Sequence, residues 1–186
     1  MERLCERLRS RLLRDMEDGR VDPDVVPLLS LLWSRGYCTS SSCSGRIVVK
    51  SGPALWTKPG VSILASWHLE PPPPRLVYYR ALSGGPYSWV SAEPPIIALY
   101  ADSLEAAEAI VEAALRAGFK YAGFRPSSSG YYVVIRGEER MDTMIVAEGE
   151  PVVTLEGFER VYPLLLRVWR RGKQRLAKLR EMLESS

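Results

Sequence analysis

The order of helical and strand patterns in this chain predicts an α+β fold, with a mixed, largely antiparallel sheet packed with helices. Two observations carry that prediction. Strand patterns at residues 119–125 and 131–136 are joined by a loop far too short for the crossover helix that a parallel pair needs. No Gly-x-Gly-x-x-Gly follows a strand pattern and no Walker loop occurs, so the fold is expected to be non-Rossmann. The 186 residues suit a single domain, 1–186, with N-terminal and C-terminal sub-parts joined by a Pro-rich connector at 71–74.

The elements follow in order. Residues 1–16 read as a helix, because Leu4, Leu8 and Leu12 recur every four positions beside Cys5, Leu13 and Met16. Arg3, Arg7, Arg11 and Arg14 share a second face of it. Asp22-Pro23 is a helix-start signal, with Asp as cap and Pro at the first helical position, and Gly36 ends that helix. Residues 37–39 read as a strand entering a serine-rich loop, and 47–50 as the strand leaving it. Residues 61–67 alternate as a strand that ends at His68. The prolines at 71–74 can be neither helix nor central strand. Residues 76–79 read as a short strand and 83–91 as a Gly/Pro/Ser loop.

The second half is more regular. Residues 96–100 form a strand, and Asp102 with Glu105 forms a capping box ahead of a helix at 104–117 that Gly118 closes. The strands at 119–125 and 131–136 flank a hairpin loop, and 143–147 adds a further strand. A basic amphipathic helix from about 159 to 183 turns Leu164, Val168, Leu176, Leu179 and Leu183 inward.

Composition excludes several classes. Apolar residues at 46% and charged residues at 25% are ordinary for a soluble globular chain. No apolar run approaches the roughly 20 residues of a membrane span. The first residues alternate in charge and lack a signal-peptide core, so a cytoplasmic protein is expected. Three cysteines at no framework spacing are expected to be free thiols. There is no Asn and one Gln, which suggests a thermophilic source. Between Arg160 and Arg180 stand eight basic residues and no acid, and the N-terminal segment is Arg-rich. Basic ends suit a polyanionic partner; solvated helix faces are the plainer account.

The run Thr39-Ser40-Ser41-Ser42-Cys43-Ser44-Gly45-Arg46 is poor core material, since each buried hydroxyl needs a partner. It is either a solvated serine turn or a site whose hydroxyls and backbone N–H groups hold polar ligand atoms. Gly45 permits positive φ or close approach of a ligand. Cys38, Cys43 and His68 make no zinc set, and no metal is expected. Cys43 lacks a sequence-local base and reads as a buried, inert thiol. His68, the single histidine, is either a satisfied polar residue at a strand end or the acid–base group. Of the aromatics Trp56, Trp67, Tyr87, Trp89, Tyr131 and Tyr132, most are expected in the core, and any on a loop could stack on a nucleobase.

The segment 41–47, Ser-Ser-Cys-Ser-Gly-Arg-Ile, resembles the signature of the wybutosine-synthesising methyltransferase family that acts on phenylalanine tRNA. Other pieces match in the same order. Asp22 and Val26-Pro27-Leu28-Leu29 resemble its Asp and Pro-Leu-Leu helix, Trp56 its Lys-Trp site, and Ser66-Trp67-His68 its Ser/Thr-x-His element. Glu93-Pro94 to Leu99, Ala117-Gly118-Phe119 and Val133-Val134-Ile135-Arg136 resemble later strands and the helix between them. The chain departs from the family at Ala122-Gly123-Phe124, and it lacks the Asn usual in the last helix. The resemblance therefore carries no last-helix residue into the site.

The resemblance implies a transferase that uses S-adenosyl-L-methionine to methylate the N-4 ring nitrogen of a tricyclic wyosine-type guanosine beside the anticodon of phenylalanine tRNA. The expected catalytic residue is His68. Ser41, Ser42, Ser44, Gly45, Arg46, Asp22 and Trp56 are expected to bind donor or substrate. Arg3, Arg7, Arg11, Arg14, Arg170, Arg171 and Lys173 are expected to contact RNA. Asp22 is the hardest to place: a helix of some 13 residues puts about 20 Å between it and the serine run. The alternative is a non-catalytic RNA-binding module built on the basic terminal helices.

Overall fold

The computed structural model describes residues 1–54 and 59–185. Trp56 lies outside the described residues. The elements are α1 (Glu2–Glu17), α2 (Val26–Ser34), β1 (Cys38–Cys43), β2 (Arg46–Gly52), β3 (Ser62–Trp67), α3 (Pro74–Leu82), β4 (Tyr87–Glu93), β5 (Ile96–Ala101), α4 (Leu104–Ala117), β6 (Tyr121–Ser127), β7 (Gly130–Arg136), β8 (Met141–Ala147), β9 (Glu150–Pro151) and α5 (Leu155–Glu184). Every ladder among the described residues is antiparallel. The α+β expectation holds.

The chain divides into two interleaved units. The first comprises residues 1–44, 94–138 and 172–186; the second comprises 45–93 and 139–171. Residues 71–74 fall inside the second unit, and α5 supplies residues to both.

The first unit holds a four-stranded sheet in the order β1-β5-β7-β6. One face of it carries Ile97, Leu99, Val133 and Ile135, which meet Ala107, Ile110 and Ala114 of α4. Leu28 and Leu32 of α2 and Leu176, Leu179 and Leu183 of α5 close that core. The second unit holds the five-stranded sheet β3-β2-β4-β8-β9. Its core joins Ile47, Val49, Val90 and Ile145 to Val77 and Tyr78 of α3 and to Phe158, Leu165 and Trp169 of α5.

Several local expectations are overturned. Helix α2 starts at Val26, not Asp22, and Pro27 sits in its first turn, where the missing N–H costs nothing. Ser103, not Asp102, caps α4, accepting a hydrogen bond from the Ala106 N–H at 3.1 Å. Residues 76–79 lie in helix α3, which Pro74 opens, and β4 starts at Tyr87 inside the expected loop. Leu164 faces solvent. Cys5 and Cys38 are joined in a disulfide with Cα atoms 5.3 Å apart, so of the three expected thiols only Cys43 is free.

Candidate functional site

The serine run is a strand, not a loop. Residues 38–43 form β1, the edge strand of the first sheet, paired to β5 with a bulge between Thr39 and Ser41. The ladder satisfies the backbone, and the hydroxyls find separate partners. Trp33 donates its indole N–H to Thr39 Oγ1 at 2.8 Å, and Ser40 donates to the Ala98 carbonyl at 3.2 Å. A pocket of about 300 Å³ lies between this strand and α1, lined by Ser40, Ser41, Ser42, Arg11, Asp15 and Arg20. Asp15 pairs there with Arg20 at 3.0 Å and with Arg11 at 3.4 Å.

At the end of β1 stands a half-buried polar network. Ser44 is wholly buried. Its backbone N–H donates to the Asp22 carboxylate at 2.7 Å, and its hydroxyl donates to the same oxygen at 3.0 Å. Lys173 of α5 donates to the Ser44 oxygen at 2.6 Å and pairs with Asp24 at 2.6 Å. The hydroxyl thus links an ammonium to a carboxylate, and charge-assisted bonds of this kind are the strong ones.

This overturns the separation expected for Asp22. Helix α2 has nine residues, about 13 Å. Gly36 then reverses the chain with φ of 84°, a left-handed conformation that glycine adopts without strain. The six residues of β1 run back over about 20 Å. The return strand is longer than the helix and reaches past its start, so Ser44 comes back to Asp22, four residues ahead of Val26.

The second unit holds the other half of the motif. Gly45 has φ of 86°, as its place in the run suggested, and its carbonyl accepts the Trp169 indole N–H at 3.3 Å. Arg46 on β2 faces Glu93 on β4 in register. Their side chains pair at 2.7 Å, and Lys50, four residues along the same face, pairs with the same carboxylate. Burial opposes the charge on Glu93. The hydrogen bonds and positive charges of Lys50 and Arg46 outweigh it and hold the carboxyl below its ordinary range. His68 follows directly on β3, whose last residue Trp67 pairs with Ile47, so the histidine stands one position beyond, level with Arg46. It is half-buried.

The structure thus joins Asp22 to Ser44 in the first unit and sets His68 level with Arg46 in the second. Ser41 and Ser42 line the pocket beside α1. Arg3, Arg7, Arg11 and Arg14 are all exposed on α1, as are Arg170 and Arg171 on α5. Arg171 lies 3.9 Å from Glu139. Lys173, expected to contact RNA, is engaged with Ser44 and Asp24. Sequence reasoning named Lys173 but not its bond to the serine run, and it missed Lys50 and Asp24. The i, i+4 spacing of Arg46 and Lys50 within one strand was the only local signal that both share a face.

A sequence model of the family Methyltransferase TYW3 matches residues 2–185. The chain is 34% identical over 180 residues to the tRNA(Phe) 7-((3-amino-3-carboxypropyl)-4-demethylwyosine(37)-N(4))-methyltransferase 2 of Pyrococcus furiosus, covering 93% of this chain and 84% of that one. It is 31% identical to the corresponding methyltransferase 1 of Pyrococcus horikoshii, covering 97% and 95%. Among solved structures it resembles the PH1069 protein from Pyrococcus horikoshii OT3, with a TM-score of 0.88 and 31% identity, covering 99% of this chain and 93% of that one.

Proposed function

This chain belongs to the Methyltransferase TYW3 family, and on that premise we propose that it methylates the N-4 ring nitrogen of a wyosine-type guanosine beside the anticodon of phenylalanine tRNA. The donor in this reading is S-adenosyl-L-methionine. The observation that carries the proposal is the Asp22–Ser44–Lys173 network. It fixes the end of the serine strand, and it is built from two residues of the matched motifs and a third from the last helix.

The residues present fit such a donor. The pocket between α1 and β1, at about 300 Å³, lies at the lower end of the range for small-molecule sites. Its walls offer both charge signs and a row of hydroxyls. Ser41 and Ser42 would hold polar donor atoms, Asp15 an ammonium and Arg20 a carboxylate. When bound, the donor supplies an electrophilic methyl carried on a sulfonium.

The chain's own residues then orient the acceptor and manage one proton. On taking up the methyl the ring nitrogen must lose its hydrogen, and a base of the chain has to receive it. His68 accepts that proton, since neutral imidazole is the base best matched to neutral pH. Asp22, Ser44 and Lys173 hold the end of the serine strand in place. The exposed arginines of α1 and α5 take the tRNA phosphates.

The test is single-turnover methyl transfer from labelled S-adenosylmethionine to tRNA carrying the demethylated base. Wild type transfers label. A folded His68→Ala variant loses about 10²–10⁴ in rate with donor binding little changed. A wild type that binds no donor near 100 μM and transfers no label overturns the function. A variant rate within a few-fold of wild type removes His68 from the chemistry.

A further inference from the structure

Among the described residues, the face of the first unit's sheet opposite α4 contributes no side chain to that unit's hydrophobic core, and its residues are of unusual kinds. Cross-strand partners share a face, so the register fixes what lies together. One row runs Tyr100, Tyr132, Arg125, and another runs Ile96, Arg136, Tyr121. Between them stand Ala98, Val134 and Gly123. The four strands of this sheet carry two charged residues, Arg125 and Arg136, and no carboxylate.

The side chains form stacked pairs. Arg125 lies over the Tyr132 ring at 5.3 Å, and Arg136 lies over the Tyr121 ring at 5.0 Å. Tyr132 and Tyr100 have ring centroids 5.1 Å apart. Tyr121 is 56% exposed, well above what an aromatic with a core role retains. A Cβ added at Gly123 would meet nothing within 4 Å, so the β6 side of the face is open, while Ala98 toward β1 is buried.

We propose that this face binds unpaired nucleotides of an RNA, with Tyr121 and Tyr132 as stacking platforms and Arg125 and Arg136 as phosphate and base partners. Aromatic platforms interleaved with cations on an open sheet are the arrangement that holds single-stranded RNA. Two arginines and no carboxylate on these strands favour a polyanion. The face also leads back to the serine strand. Ser41 pairs with Ala98 and Cys43 with Ile96, so β1 forms its opposite edge, three strand spacings or about 14 Å from β6. The disulfide to Cys38, whose ladder partner is Tyr100, fixes the arginine-bearing helix α1 at that same edge. The anticodon loop is unpaired RNA of this kind. The inference rests on the tRNA reading above for that choice of substrate, though not for the RNA chemistry of the surface.

Fluorescence anisotropy of the full chain with a labelled nine-nucleotide anticodon-loop RNA tests this, with an RNA duplex as comparison. Tyr121→Ser should weaken nonamer binding about 5- to 100-fold, while Tyr121→Trp keeps it. Arg125→Gln with Arg136→Gln should lower the log–log salt slope by about 0.7 per lost contact. Duplex binding should move little in either variant. Unchanged nonamer affinity in folded variants overturns the proposal, as does a wild type that binds no nonamer. A change in sedimentation without a change in RNA affinity overturns it in favour of self-association. Methyl transfer to tRNA, measured alongside, separates the two readings. Transfer by wild type with a nonamer affinity indifferent to these residues sinks the surface and spares the activity. Loss of nonamer binding in the variants without any transfer by wild type does the reverse.

Discussion

Helix α1 has no fully buried residue, and Leu13 and Met16 are 52% and 37% exposed, so packing alone holds it weakly. The Cys5–Cys38 disulfide holds it instead. It closes a loop with a sequence separation of 33. The chain-entropy relation then gives about 12.5 cal/mol/K lost from the unfolded ensemble, or about 3.7 kcal/mol at 25 °C. For a chain of this length each kcal/mol moves Tm by about 2–4 °C, so reduction should lower Tm by about 7–15 °C. Scanning calorimetry with and without a phosphine reductant measures the shift, and thiol titration in denaturant certifies the state of the bond. One reactive thiol, Cys43, should become three on reduction. Hydrogen exchange should place the early loss of protection in α1. Three thiols in the unreduced protein would refute the bond, and an unmoved Tm after certified reduction would refute the energetic argument.

Four further outcomes follow from the polar networks, Cys43 and the arginine stripe. Glu93→Gln leaves Arg46 and Lys50 facing a neutral amide and should cost about 2 kcal/mol by denaturant unfolding. Because the folded carboxyl titrates below its ordinary value, its contribution is complete above the unfolded pKa of about 4.3 and is lost as pH falls through the folded value. A stability profile with the same acid limb in wild type and variant would contradict this. Ser44→Ala removes a buried hydroxyl between Lys173 and Asp22 and should also cost about 2 kcal/mol, whereas Cys43→Ser should keep substantial turnover. Replacing Arg7 and Arg11 together should weaken tRNA binding and flatten its log–log salt dependence by nearly one unit per lost contact; an unchanged slope would mean a solvated face.

Periodic elements were legible because burial acts on every turn or every second residue. The helix at 104–117 and the hairpin strands around residues 128–129 stand where periodicity put them. The serine run was misread as a loop because its hydroxyls have no strand propensity. Pairing to Ile96–Ala101 on β5 overrides that, and no local pattern reports a partner 58 residues away. The strand reading of 76–79 failed for a related reason: Val77, Tyr78 and Ala81 bury one face of a helix only nine residues long, too short to show its period. Asp22 and Lys173 meet on Ser44 from positions 22 and 129 residues distant, a contact that exists only in the folded chain.

The interleaving of the two units sets a timetable for synthesis. Residues 1–44 emerge first, yet β1 has no ladder partner until β5 follows, and the first core stays open until Leu183 arrives. At roughly 5–20 residues per second, the 139 residues from Ser44 to Leu183 occupy about 7–30 s. The β1 edge stays unpaired until β5 is made, and the apolar face of α2 lacks its α5 partners through the whole interval. In contrast, β2 finds both its ladder partners, β3 and β4, within residues 46–93, although their core is closed only by Phe158, Leu165 and Trp169 of α5. Both cores therefore wait for α5, and a chain stalled before that helix would present the cell with two unfinished units.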